Sequence, residues 1–91
     1  MTNQRKYRYR NRIWFLKFLK QHPCIDCGEA DPVLLELDHV RGQKTLKVSR
    51  FIQGGYSLKR IQEEIAKSVV RCVRCHRIRT ARDQEWMKYD A

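Results

Sequence analysis

Two cysteine pairs, Cys24-Ile25-Asp26-Cys27 and Cys72-Val73-Arg74-Cys75, use every cysteine of the chain and bracket the 44 residues from Gly28 to Arg71. A two-residue gap lets both sulfurs of a pair turn toward one ion, and two such pairs complete the tetrahedral set that structural zinc takes. The bracketed segment must therefore fold so that its end returns to its beginning. At 91 residues an apolar core alone gives little stability, and a structural metal supplies the difference. These points predict a small zinc-stabilised α+β domain spanning residues 1–91. Residues 1–22 form a basic N-terminal arm and helix, 23–83 the zinc-braced core, and 84–91 the end of a C-terminal helix.

Other uses of the cysteines fit less well. Cys72-x-x-Cys75-His76 also fits c-type haem attachment, and a lone C-x-x-C can be a redox motif. Neither explains Cys24 and Cys27. The chain starts with polar and basic residues, and the longest apolar run nearby is Ile13-Trp14-Phe15-Leu16. No signal peptide and no membrane span are expected, which predicts a cytoplasmic protein. In that reducing compartment four cysteines favour metal over disulfides.

Charge points to the partner. Lys and Arg number 20 against 10 acids, for a formal charge of +10, and nucleic acid is the first anionic candidate. Residues 1–20 carry seven bases (Arg5, Lys6, Arg8, Arg10, Arg12, Lys17 and Lys20) and no acid. From about Arg10 to Gln21 the pattern is helical, with Trp14, Phe15, Phe18 and Leu19 on one face and bases opposite. The arm before it, with Tyr7 and Tyr9 among arginines, suits contact with phosphates rather than reading of bases. The blander reading is a solvated face.

Further along, Pro23 ends the helix, and Gly28 permits a positive φ just past the second thiol. Val33–Val40 reads as a strand with Leu35 and Leu37 inward and Asp38 and His39 at its end. Residues 41–44 are turn-like, and Thr45–Val48 reads as a short strand or the lead into a brief helix through Ile52. Gly54-Gly55 stops it. Ser57 caps a helix from Leu58 to about Lys67 with Leu58, Ile61 and Ile65 buried, and Tyr56 and Ile61 are placed for a staple. Val69–Arg71 is a short strand delivering Cys72, and a last helix runs from Val73 to about Met87. His22, before a proline and outside any cluster, reads as structural.

With both clips, Leu37-Asp38-His39-Val40 and Cys75-His76-Arg77-Ile78-Arg79-Thr80 in view, the sequence resembles the HNH endonucleases from about Cys24 to Thr80. It is most similar to small phage and bacterial members with a four-cysteine zinc site. That resemblance implies a ββα-metal nuclease motif that nicks or cuts DNA in a bacterial or phage-infected cell. RNA is a second possible substrate, and no small-molecule cofactor is needed beyond metals. It makes Asp38 and His76 ligands of a catalytic divalent ion (Mg²⁺, Mn²⁺, Ni²⁺ or Zn²⁺) and His39 the general base. Cys24, Cys27, Cys72 and Cys75 hold structural Zn²⁺. The expected DNA-binding residues are Arg5, Lys6, Arg8, Arg10, Arg12, Lys17, Arg77 and Arg79.

The chemistry is sensible on its own terms, because phosphodiester charge repels hydroxide and the site needs a base near neutral pKa and a cation at the leaving oxygen. Neighbouring helical positions point about 100° apart, so His76 is not expected to share the ion bound by Cys75. Arg79 and Thr80 fall on the face of His76 and suit a phosphate. In a regular strand Asp38 and His39 face opposite sides, so serving one site requires the strand to end or twist there. One residue departs from the family: Lys67 stands where the motif has asparagine, a residue that braces the loop. The rival function is a zinc-braced nucleic-acid-binding module that does not cut.

Overall fold

The computed structural model describes residues 3–42 and 46–90. Helix α1 runs Asn3–Lys20, so most of the expected arm is helix. No Gly or Pro interrupts this stretch, and tertiary contacts hold its first turns. A Cβ at Gly55 would sit 3.2 Å from the Gln4 carbonyl oxygen and 3.4 Å from the Tyr7 Cβ, and Gly55 itself has a φ of +72°. Only glycine meets both demands cheaply. One turn beyond Tyr7, Arg10 and Asn11 reach the same corner. Arg10 Nη2 donates to the Tyr56 carbonyl at 3.1 Å, and Asn11 Nδ2 donates to it at 3.0 Å and to the Ile52 carbonyl at 3.4 Å. Asn11 is fully buried, and these bonds offset its desolvation. The helix ends at Lys20, just ahead of Pro23.

Strand β1 is Leu35–His39 and strand β2 is Ser68–Cys72, paired antiparallel with Leu35 opposite Cys72 and His39 opposite Ser68. The strand begins two residues later than expected, because Pro32–Leu34 form a 3₁₀ turn in which Asp31 Oδ1 accepts from the Val33 amide at 3.0 Å. Between the strands lie α2, Val48–Gln53, and α3, Leu58–Ile65. Val48 therefore opens a helix, while Gln43, Lys44 and Thr45 lie outside the described residues. Ser57 Oγ caps α3 by accepting from the Arg60 amide at 3.2 Å. That helix stops two residues short of Lys67, whose carbonyl instead accepts from the Val40 and Arg41 amides at 2.9 and 3.1 Å.

Helix α4 is Val73–Asp83. It ends before Met87 because Glu85 turns left-handed, with a φ of 54°, and Trp86–Tyr89 follow as a separate 3₁₀ turn. Two apolar clusters form the core. Leu19, Leu35 and Val70 pack with Cys24 and Cys72, and Phe51, Ile52, Ile61 and Ile65 form the second cluster. Phe15, Phe18 and Leu37 touch both. One strand face and one stripe of α1 thus join the cysteine end to the helical end. No helix among the described residues is long and apolar enough to cross a membrane.

Candidate functional site

The fold brings the two clips together. All four cysteine sulfurs lie within 4.8 Å of one another, with Cys27 and Cys72 at 3.6 Å, and none is in a disulfide. Sulfurs arranged tetrahedrally about an ion at about 2.3 Å are about 3.8 Å apart, so the set fits a metal such as zinc. Backbone bonds shape it. The Gly28 amide donates to the Cys24 carbonyl at 2.9 Å with Gly28 at φ +81°, and the Ile25 amide donates to the Val70 carbonyl at 2.9 Å, tying the first clip to β2.

Cys72 caps α4, its sulfur accepting from the Cys75 amide at 3.3 Å. Burial pushes the Cys24 thiol up, but backbone contacts from Cys72, Cys27 and Asp26 outweigh it and bring it down to about 6. The Cys75 thiol is pushed up to about 12, first by Cys72 and then by burial and the other two cysteines. The Glu29 backbone lowers Cys27, yet Cys72 and Cys24 leave it raised. Crowded sulfurs that share protons in this way are the donor set a divalent cation completes.

His76 does not point at the thiols. Glu36 and Asp38, two apart on β1, share a face, and α4 lies across it. His76 Nδ1 is hydrogen-bonded to Glu36 Oε1, and its Nε2 lies 3.6 Å from Asp38 Oδ1. The other carboxylate oxygen, Asp38 Oδ2, accepts from Arg71 Nη1 at 2.7 Å and Arg79 Nη1 at 2.8 Å. Arg71 Nε also donates to Asp26 Oδ2 at 2.7 Å. Asp26 lies inside the first clip, so Arg71 links that clip to Asp38. The guanidinium is held above its ordinary pKa by Asp26 first, against burial, and by Asp38.

A carboxylate oxygen and an imidazole nitrogen each about 2.1 Å from one ion lie about 3.0–3.4 Å apart. The observed 3.6 Å requires only a small side-chain adjustment. Asp38 Oδ1 and His76 Nε2 thus fit as two protein ligands of a divalent ion. Among the described residues, the only group of three or more such donors is the cysteine cluster.

His39 is placed differently. His39 is the last residue of β1, opposite Ser68, and strand alternation puts it on the Leu35 and Leu37 face, away from Asp38. Its Nε2 is buried with no hydrogen-bond partner. The ring lines a cavity of about 580 Å³ together with Glu36, Glu64, Ser68 and His76. Residues from both faces of β1 line this space. His39 and His76 face a common cavity, and Asp38 is not part of its wall.

The basic residues divide into two groups. Arg5, Lys6, Arg12, Lys17 and Arg77 are exposed, and Arg8 is half-buried. Arg10 is bound to Tyr56 and Asn11 and lies over the Tyr7 ring at 4.8 Å. Arg79 is bound to Asp38, and Arg77 lies over the Trp86 ring at 5.1 Å. His22 is structural: its Nδ1 sits 2.7 Å from the Phe18 carbonyl and its ring stacks on Phe18. Lys67 pairs with Glu64 at 3.0 Å, and its carbonyl braces the residues after β1.

Glu36, Arg71 and Asp26 join this cluster although no sequence motif assigns them a role. Strand alternation places Glu36 beside Asp38 and was the available signal; no local signal marks Arg71 or Asp26. No protein-family model, curated protein or solved structure matches this chain. The likeness to HNH endonucleases therefore rests on the motif residues alone.

Proposed function

We propose that this protein is a metal-dependent endonuclease that hydrolyses phosphodiester bonds in DNA. One observation carries the reading: Asp38 Oδ1 and His76 Nε2 converge to 3.6 Å beside a separate, complete four-thiol cluster, in a chain of charge +10. A pure binding module has no use for that pair. A divalent ion held there supplies positive charge to the phosphate and its leaving oxygen. Asp38 and His76 would hold such an ion, Asp38 Oδ2 being already bound by the guanidiniums of Arg71 and Arg79. His39, whose ring lines the same cavity as His76, takes the proton from the attacking water. The exposed bases on α1 hold the phosphate backbone.

The rival reading, a zinc-braced binder that does not cut, is favoured by the opposite facing of Asp38 and His39. Incubation of zinc-loaded protein with supercoiled plasmid and Mg²⁺, Mn²⁺, Ni²⁺ or added Zn²⁺ separates the two. Nicking that falls about 10²–10⁴-fold in His39→Ala, with zinc content and DNA affinity retained, supports the nuclease. Binding without cleavage under every metal, with RNA also intact, rejects it in favour of the binder.

A further inference from the structure

The convergence of Asp38 and His76 has a third participant that the motif does not name. We propose that Glu36 is a positioning residue for His76: it holds the imidazole proton on Nδ1 and so turns the Nε2 lone pair toward Asp38 and a divalent cation. The inference rests on the reading of Asp38 and His76 as a cation site.

Three observations carry it. Glu36 and Asp38 lie two residues apart on β1 and so aim at the same helix, α4. Each takes a different nitrogen of one ring, Glu36 at Nδ1 and Asp38 facing Nε2 at 3.6 Å. An imidazole at a helix surface otherwise has freedom about χ2 and a choice of tautomer. A carboxylate can only accept from a neutral ring, so the Glu36 contact places the proton on Nδ1. Metal-ligating histidines are characteristically held in this way, with the second nitrogen donating to a carboxylate that fixes the ring and raises its basicity. Glu36 itself does not converge with Asp38 and His76 as a third ligand. With a side chain 43% exposed, it makes no contribution to the core that would explain its place.

The test uses the full zinc-loaded chain. Long-range ¹⁵N NMR of the histidine rings, at a pH where His76 is neutral, reads the tautomer directly, and Mn²⁺ titration followed by EPR reads the cation site. Mn²⁺ prefers oxygen and nitrogen donors, so it leaves the thiol cluster to zinc. The expected wild-type result is protonated Nδ1 and unprotonated Nε2 at His76. Glu36→Ala should release the ring toward the Nε2-protonated form and weaken Mn²⁺ binding about 10–100-fold, with zinc content and thermal melt unchanged. Glu36→Gln, which keeps an acceptor but not the charge, should fall between.

An unchanged tautomer in Glu36→Ala overturns the proposal, and so does unchanged Mn²⁺ affinity. These readouts do not depend on cleavage. If the protein fails to cut but Glu36→Ala shifts the tautomer and the Mn²⁺ affinity, the nuclease reading fails while the positioning role stands. If it cuts and Glu36→Ala moves neither, the positioning role fails alone.

Discussion

Replacing Arg71 by methionine tests the polar link from the first cysteine clip to Asp38. Methionine keeps most of the aliphatic volume on β2 but removes the guanidinium that donates to Asp26 and Asp38, each at 2.7 Å. The two arms differ in worth. Asp38 is 12% exposed and Arg71 14%, so their charge-assisted bond is largely shielded from water and contributes about 1.5–3 kcal/mol. Asp26 is 44% exposed, so that arm is screened and adds at most about 1 kcal/mol. Arg79, still 2.8 Å from Asp38 Oδ2, prevents the carboxylate from being left without a cation.

Arg71→Met should therefore cost about 2–3 kcal/mol, a large share of the roughly 5–14 kcal/mol expected for a domain of this size. Urea unfolding of zinc-loaded protein, with zinc content matched, measures it. A double-mutant cycle with Asp38→Asn isolates the pair and should return a coupling of about 1–2 kcal/mol. Arg71→Lys should recover only part of the loss, since one ammonium cannot reproduce the guanidinium's two directed bonds. A coupling below about 0.5 kcal/mol, within the error of independent sites, would refute the link.

Three further outcomes follow from the same geometry. Stripping the metal with a strong chelator should abolish the cooperative melt, because structural zinc contributes about 10–16 kcal/mol of apparent binding free energy and Cys24 and Cys72 are part of the core around Leu35; a melt that survives chelation sinks the assignment. Zinc uptake near neutral pH should release at least two protons, from Cys75, whose thiol is pushed up to about 12, and from Cys27, which is also raised, whereas Cys24 at about 6 is already mostly thiolate. Protons then compete with the metal, so affinity falls as pH falls, and calorimetry in buffers of different ionisation enthalpy that finds no release contradicts this. Lys6→Ala, Arg12→Ala and Lys17→Ala together should flatten the log–log salt dependence of duplex DNA binding by up to about 2.7, at roughly 0.9 per phosphate. Arg10→Ala, whose guanidinium is committed to Tyr56 and Asn11, should leave that slope unchanged, and equal effects would show that the phosphate-binding surface is misplaced.

Features that depend on neighbours a few residues apart are legible in the chain's local order. Cysteine spacing defined the four-thiol set, Gly28 the turn after the first clip, Ser57 the start of α3, and the apolar stripe of α1 the face that packs. Each follows from local sterics or from the period of a helix or strand, which any short stretch carries within itself. The same rule set Asp38 and His39 on opposite faces of β1, and the tertiary structure kept them there. The remaining features lie between residues far apart in the chain, and packing sets them. Docking against Gly55 extends α1 back to Asn3, and Asn11, an ordinary polar residue on a helix, becomes fully buried because the Ile52 and Tyr56 carbonyls meet it 41 and 45 positions away. Glu36 meets His76 across 40 positions, and Arg71 meets Asp38 across 33 and Asp26 across 45. Such pairings depend on strand register and on how α4 crosses the sheet, to within about the length of a hydrogen bond. Those quantities are set by packing of the whole domain, and no local pattern of residue types encodes them.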